Sequence, residues 1–414
     1  MDGDRPAGRI TLSRRGFVLV TMIVSLVALL AFLGLAIDVG YEEYVKTRMQ
    51  TAADAAALGG AQELRASGSA NLATAAKGDS AGNGFTDGVN SVSVTVNNPP
   101  VSGYSTSDPT AVEVILSQRV PTFFMELLGF ASGTVQARAV ARLGSGTNCL
   151  YTLDPSAPSA FSASGGATVA FSCGVIVDSS SSTAMSVSGG ARITANSVSV
   201  AGKASISGGA TVSPSPVQGV TAQSDPLSYL TEPTAGGCNF TNTSVSGGAT
   251  ATLGPGVYCK GISISGGSKV TFTAGTYVLK GGLSVSGGSS ISGNGVTFFN
   301  TSASGYSYQP ISISGGASIN LSAPTSGSLA GILFFQDPSV GSAAQSSISG
   351  GADAIMNGAF YFPTTGLAYS GGTSGQYTII VARTVSFSGG SRLNSDYSSL
   401  PGGSPVKGGA TLSE

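Results

Sequence analysis

The tripeptide Ser-Gly-Gly occurs ten times between residues 164 and 390, usually behind a run that alternates Val or Ile with Ser. Ile262-Ser263-Ile264-Ser265-Gly266-Gly267-Ser268-Lys269-Val270-Thr271-Phe272 is the clearest copy. Successive motif serines, from Ser164 to Ser388, are 24, 19, 39, 19, 21, 28, 35, 21 and 18 residues apart. A period of about 20 residues, with one gap near two periods, marks a stacked repeat. Period-two alternation makes each unit a half-buried strand, and the glycine pair fits a corner that needs φ > 0 or close packing. A unit this short cannot hold a βαβ crossover but suffices for one coil of a parallel β-solenoid. Residues 148–414 are therefore expected to form a solenoid of roughly ten coils.

Composition supports order in this region. Charged residues make up only 9% of the chain and glycine 61 of 414 positions, which alone would fit a linker. The 41% hydrophobic content, set in strict alternation, instead gives each coil an apolar lining. A formal net charge of −1 gives nucleic acid nothing to bind. With no histidine, the commonest general base and metal ligand is missing. Cys149, Cys173, Cys238 and Cys259 form no CxxC pair. Each of the spacings 149–173 and 238–259 is close to one coil, and neighbouring parallel strands lie about 4.8 Å apart, within disulfide reach. Two staples made in an oxidising compartment, or four buried free thiols, fit this spacing.

The other end of the chain is organised by apolarity. Arg5, Arg9, Arg14 and Arg15 precede an uncharged run from Phe17 to Ile37, long enough to cross a bilayer as a helix. Asp38, Glu42 and Glu43 follow, so the positive-inside rule puts 1–16 in the cytoplasm and the bulk of the chain outside. Arg14-Arg15 in its context also resembles a twin-arginine export signal, and Gly34-Leu35-Ala36 offers small residues for cleavage. The length of the apolar run, and its continuity with a helical pattern over 38–66, favour a retained anchor. Tyr41, Tyr44, Val45, Arg48, Met49, Ala52, Ala53 and Ala56 recur at helical steps along that continuation. The alanine stripe permits close helix approach, either for self-association or for packing on its own domain. Residues 67–88 read as a loop or frayed helix end. Strands are expected near 91–96, 111–120 and 134–143, with a short helix at 121–129 closed by Gly129. Residues 67–147 are thus a small α+β module, and 398–414 a cap or loose end.

Arg14-Arg15-Gly16, the apolar run, Gly34-Leu35-Ala36-Ile37-Asp38-Val39-Gly40 and Gln50-Thr51-Ala52-Ala53-Asp54-Ala55-Ala56-Ala57-Leu58-Gly59-Gly60-Ala61 resemble the N-terminal region of TadG-like proteins, of the TadE/TadG group tied to the tight-adherence (Flp) pilus machinery. The module after the anchor is similar to what often follows it in that family. The resemblance implies a single-pass inner-membrane protein. Pilins carry a glutamate five residues after the cleavage glycine, whereas Thr21 stands there in this chain, so a pilin subunit is not expected.

The full expectation is a mixed fold: transmembrane and extended α-helix at 17–37 and 38–66, α+β module at 67–147, then an all-β parallel β-solenoid (β-helix). The acids beyond residue 150 (Asp154, Asp178, Asp225, Glu232, Asp337, Asp353, Asp396 and Glu414) form no DxD or ExxD cluster, so no catalytic, cofactor or metal residue is assigned. Asp225 and Glu232 read as a solvated loop pair. The chain is expected to be a structural or interaction protein of the pilus assembly system, or alternatively a free-standing adhesin or envelope-glycan binder. A solenoid enzyme acting on glycans ranks third. Its partners are then the inner membrane, pilus-assembly proteins or further copies of itself through 38–66, and envelope glycans, with no nucleic acid.

Overall fold

The computed structural model describes residues 14–341, 344–349, 354–371 and 375–414. Arg5, Arg9, the motif glycines 350, 351 and 372, and Asp353 lie outside the described residues. The chain divides into two units. One comprises the residues up to Ala61 with 71–142 and 411–414; the other comprises 62–70 and 143–410.

Helix α1, Arg14–Ser67, runs unbroken for 54 residues. Its apolar part is long enough to cross a membrane, and only 6% of the most apolar window is buried. A helix that shows apolar side chains on every side has no protein core to join; a bilayer is the solvent that accepts it. Beyond Asp38 the helix becomes one-sided. Met49, Ala52, Ala53, Ala56, Ala57 and Ala61 are fully buried, and Val112 and Ala76 come within contact distance of where a side chain on Gly60 would start. The alanine stripe is therefore used in the unit's own core.

Residues 72–82, within the stretch expected to be a loop or frayed helix end, form a separate helix α2, Leu72–Gly82. Leu72, Ala76 and Ser80 recur every four residues and are buried. The Ser, Gly and Asn content masked that stripe. Strands β1 (Val92–Asn97), β2 (Ala111–Pro121) and β3 (Ser132–Ser145) are antiparallel neighbours, with Val94 opposite Leu116 and Ile115 opposite Arg138. Strand Lys407–Leu412 follows β3 in the sheet order, so the chain's last residues are neither loose nor a cap.

The second unit is built of short parallel strands paired level upon level. Each repeat contributes a rung of up to three segments, seen in Gly256–Ile264 followed by Lys269–Phe272. Ile262, Ile264, Val270 and Phe272 are buried while Ser263, Lys269 and Thr271 are exposed. One row of rings crosses levels without interruption: Phe240, Tyr258, Tyr277, Phe298, Phe334 and Phe360 stand 4.6 to 5.9 Å apart, centroid to centroid.

The order of levels departs from the order of the sequence. Rungs starting at residues 148, 174 and 197 stack in turn, ending at Val217–Gln218. The chain then resumes pairing at Phe240, whose strand lies against Gly256–Ile264, and climbs rung by rung to Thr378–Ser388. That strand pairs with residues 150–152 and 161–164, where the repeats began. Residues 219–239, within the 39-residue gap, connect the two ends of the stack. Pro226 and Pro233 suit a segment that takes no place in a ladder.

Candidate interaction surfaces

In the first unit the link between β2 and β3 holds a short 3-10 helix, Met125–Leu128, closed by Gly129 at φ 92°. Asp38 fixes it. The carboxylate accepts the N–H groups of Phe123, Phe124 and Met125 at 2.8, 2.9 and 2.7 Å. Burial opposes the charge, but the three donors outweigh it and hold Asp38 below the usual carboxylate range. A Cβ on Gly34 would lie 2.7 Å from the Phe124 ring, so only glycine lets this turn reach α1. Close by, Tyr41, Tyr44, Val45, Arg48, Phe85 and Val120 line a cavity of about 170 Å³, with the Arg48 guanidinium 5.8 Å from the Tyr44 ring centre.

A buried ion network braces the same unit. Glu113, with no exposed side-chain surface, meets Arg138 Nε at 2.7 Å and accepts from Ser102, Asn97 and the Val101 N–H. Burial raises its pKa, yet these four partners together bring it down to about 2. Arg138 also reaches Glu414 at 2.9 Å.

The second unit carries a column of serines in register from rung to rung. Ser244, Ser263, Ser284, Ser312 and Ser347 are register partners in succession, followed by Ala368, Ser386, Ser162, Ser186 and Ser205. Beside this hydroxyl column the Ser-Gly-Gly corners stack. The Gly267 N–H donates to Gly287 C=O and the Gly288 N–H to Gly315 C=O, both at 2.9 Å. No cation or carboxylate interrupts the column, which leaves an uncharged strip of serine and backbone.

Two acids lie where the segment from 219 to 239 meets the rungs. Asp178 accepts the Gln223 N–H at 2.9 Å, while its other oxygen has no hydrogen-bond partner. Burial pushes its carboxyl up to about 6. Asp225, expected to be solvated with Glu232, instead accepts the Tyr361 hydroxyl at 2.7 Å and the Leu227 N–H, and burial raises its pKa too. Arg65, Tyr151, Gln223, Asp225 and Lys407 line a polar cavity of about 350 Å³. Asp154 is engaged by Arg383 at 2.7 Å. Among the described residues no three His, Cys, Asp or Glu side chains gather as a metal site. Cys149 is paired with Cys173 and Cys238 with Cys259, with Cα separations of 5.7 and 5.6 Å. The spacing of one repeat was the sequence signal for both pairs; nothing in the sequence marked Asp38 or Glu113 as anchoring groups.

These features define a class before any family: an apolar-helix protein with a compact helix-and-sheet unit and a laddered β unit. Residues 16–63 match the family model described as Flp pilus-assembly TadE/G-like. Residues 50–141 match the one described as Tad-like Flp pilus-assembly. Together the two cover α1, α2 and the β1–β3 sheet. No curated protein and no solved structure matches the chain.

Proposed function

We propose that this chain is a membrane-anchored, extracytoplasmic interaction protein of a Flp/Tad-type pilus assembly system, with its N-terminus in the cytoplasm and α1 in the inner membrane. The observation that carries the reading is the coincidence of both family matches with one folded unit. Arg14 and Arg15 before the apolar run, and Asp38, Glu42 and Glu43 after it, support the orientation. The stacked rungs amount to a parallel β-solenoid, stapled by disulfides 149–173 and 238–259 in an oxidising compartment. Because the alanine stripe is internal, docking to assembly proteins falls to the Tyr41–Arg48 cleft and its surroundings. The role is structural, since the acids a glycan-active enzyme would use are dispersed or engaged.

The test is crosslinking in native membranes followed by recovery through an epitope inserted after Ser326, in an exposed turn. Recovery of secretin, platform or pilin-like proteins supports the reading. A surface-accessible epitope with none of them recovered favours the second reading, a cell-surface adhesin, for which the serine column speaks as a row of hydroxyls suited to glycans. Alkylation that adds no mass without reductant, but does with it, supports the disulfides.

A further inference from the structure

The span ends at a protein turn that is itself apolar. Phe123, Leu127, Leu128 and Phe130 are 55%, 83%, 73% and 62% exposed, and Phe124 is 44% exposed. Five large apolar side chains in eight residues, with Glu126 the one charge among them, are costly to leave in water. The turn does not flap. Thr122 closes it by donating its hydroxyl to the Phe130 carbonyl, and the Thr122 N–H donates to Ala131 at 3.2 Å.

Its height along α1 is set by two contacts. Phe124 abuts Gly34, and the 123–125 amides meet Asp38. Four residues of helix separate these points, about 6 Å, and they are the last turn of the uncharged run. The turn therefore sits where hydrocarbon gives way to headgroups. Tyr41, one turn further on, packs edge-on against Phe123 with centroids 5.4 Å apart, as aromatic side chains do at that boundary.

We propose that the 123–130 turn is a second membrane-contacting element, seated in the outer-leaflet interface beside α1 with Leu127, Leu128 and Phe130 among the upper acyl carbons. It rests on the anchor reading above and adds to it. A single helix leaves a protein free to swivel and tilt; a second foothold, tied to the span by Asp38, fixes the orientation of the whole first unit on the membrane surface.

The chain has no tryptophan, so one substitution introduces the only indole. Leu128→Trp, Leu29→Trp and Tyr104→Trp, all at exposed positions, are compared in full-length protein reconstituted into vesicles containing brominated phosphatidylcholine. Leu128→Trp is expected to lose most of its emission to bromines near the headgroup and less to bromines deep in the tails. Leu29→Trp is expected to show the reverse order, and Tyr104→Trp neither loss. If Leu29→Trp is quenched while Leu128→Trp behaves like Tyr104→Trp, the interfacial turn is wrong and the anchor stands. If Leu29→Trp escapes both quenchers, the anchor is wrong and the turn falls with it.

Discussion

Glycine at the repeat corner is required twice over, and the two reasons separate by position. Gly287 and Gly288 have φ of 62° and 65°, a region costly to any residue with a Cβ. At Gly287 that Cβ would also lie 3.0 Å from the Gly266 nitrogen one rung away, whereas at Gly288 nothing stands within 4 Å. Gly288→Ala should lower unfolding free energy by about 1–2 kcal/mol, the left-handed strain alone, and Gly287→Ala by more; urea unfolding of the two variants measures the gap. The pair was legible as a corner because Gly-Gly recurs, but which glycine touches its neighbour is a matter of stacking. Glu113 was invisible in sequence, one acid in an alternating strand. Its depressed pKa means its contribution is complete above about pH 5 and lost as the pH falls from 4.5 toward 2. Glu113→Gln should cost about 2 kcal/mol at pH 7 through weakened charge-assisted bonds and nothing near pH 2, read from thermal melts across that range.

Elements were read best where periodicity was strong and chemistry plain. The alternation of Ile262 to Phe272 predicts its strands, and the apolar run predicts α1. Helix α2 was missed because alanine and serine bury without looking apolar. The turn at 121–129 was seen as a helix with its glycine stop, but its partner Asp38 lies over eighty positions away. Asp38→Asn offers the three amides a weaker acceptor, so hydrogen exchange at Phe123–Met125 should quicken several-fold relative to the rest of the sheet. Asp178, which meets the connecting segment through the Gln223 N–H, carries its own pH response. Asp178 has a raised pKa, so its ionisation burdens the folded state increasingly as pH rises from 4 through 6. Asp178→Asn keeps the oxygen that meets Gln223 and removes the charge. It should raise the melting temperature at pH 8 and leave it unchanged at pH 3.5.

At the scale of the molecule, sequence predicted a repeat but not its wrapping, because a period says which segments are alike and not which end of the pile each occupies. The pairing of Ser386 with Ser162 is the direct consequence of that wrapping. Ser386→Cys with Ser162→Cys should crosslink on oxidation, and Ser386→Cys with Ser205→Cys should not; peptide mapping distinguishes them. The same arrangement has a cost in time. During synthesis the rungs from 148 to 218 emerge first, but the strand that covers their open side, Thr378–Ser388, is made last among the rungs. At roughly 5–20 residues per second that leaves a bare strand edge waiting on the order of ten seconds, in the state most prone to join the wrong chain. A nascent chain of this design needs shelter until Thr378–Ser388 has been made, and cells lacking holding chaperones should accumulate it as aggregate.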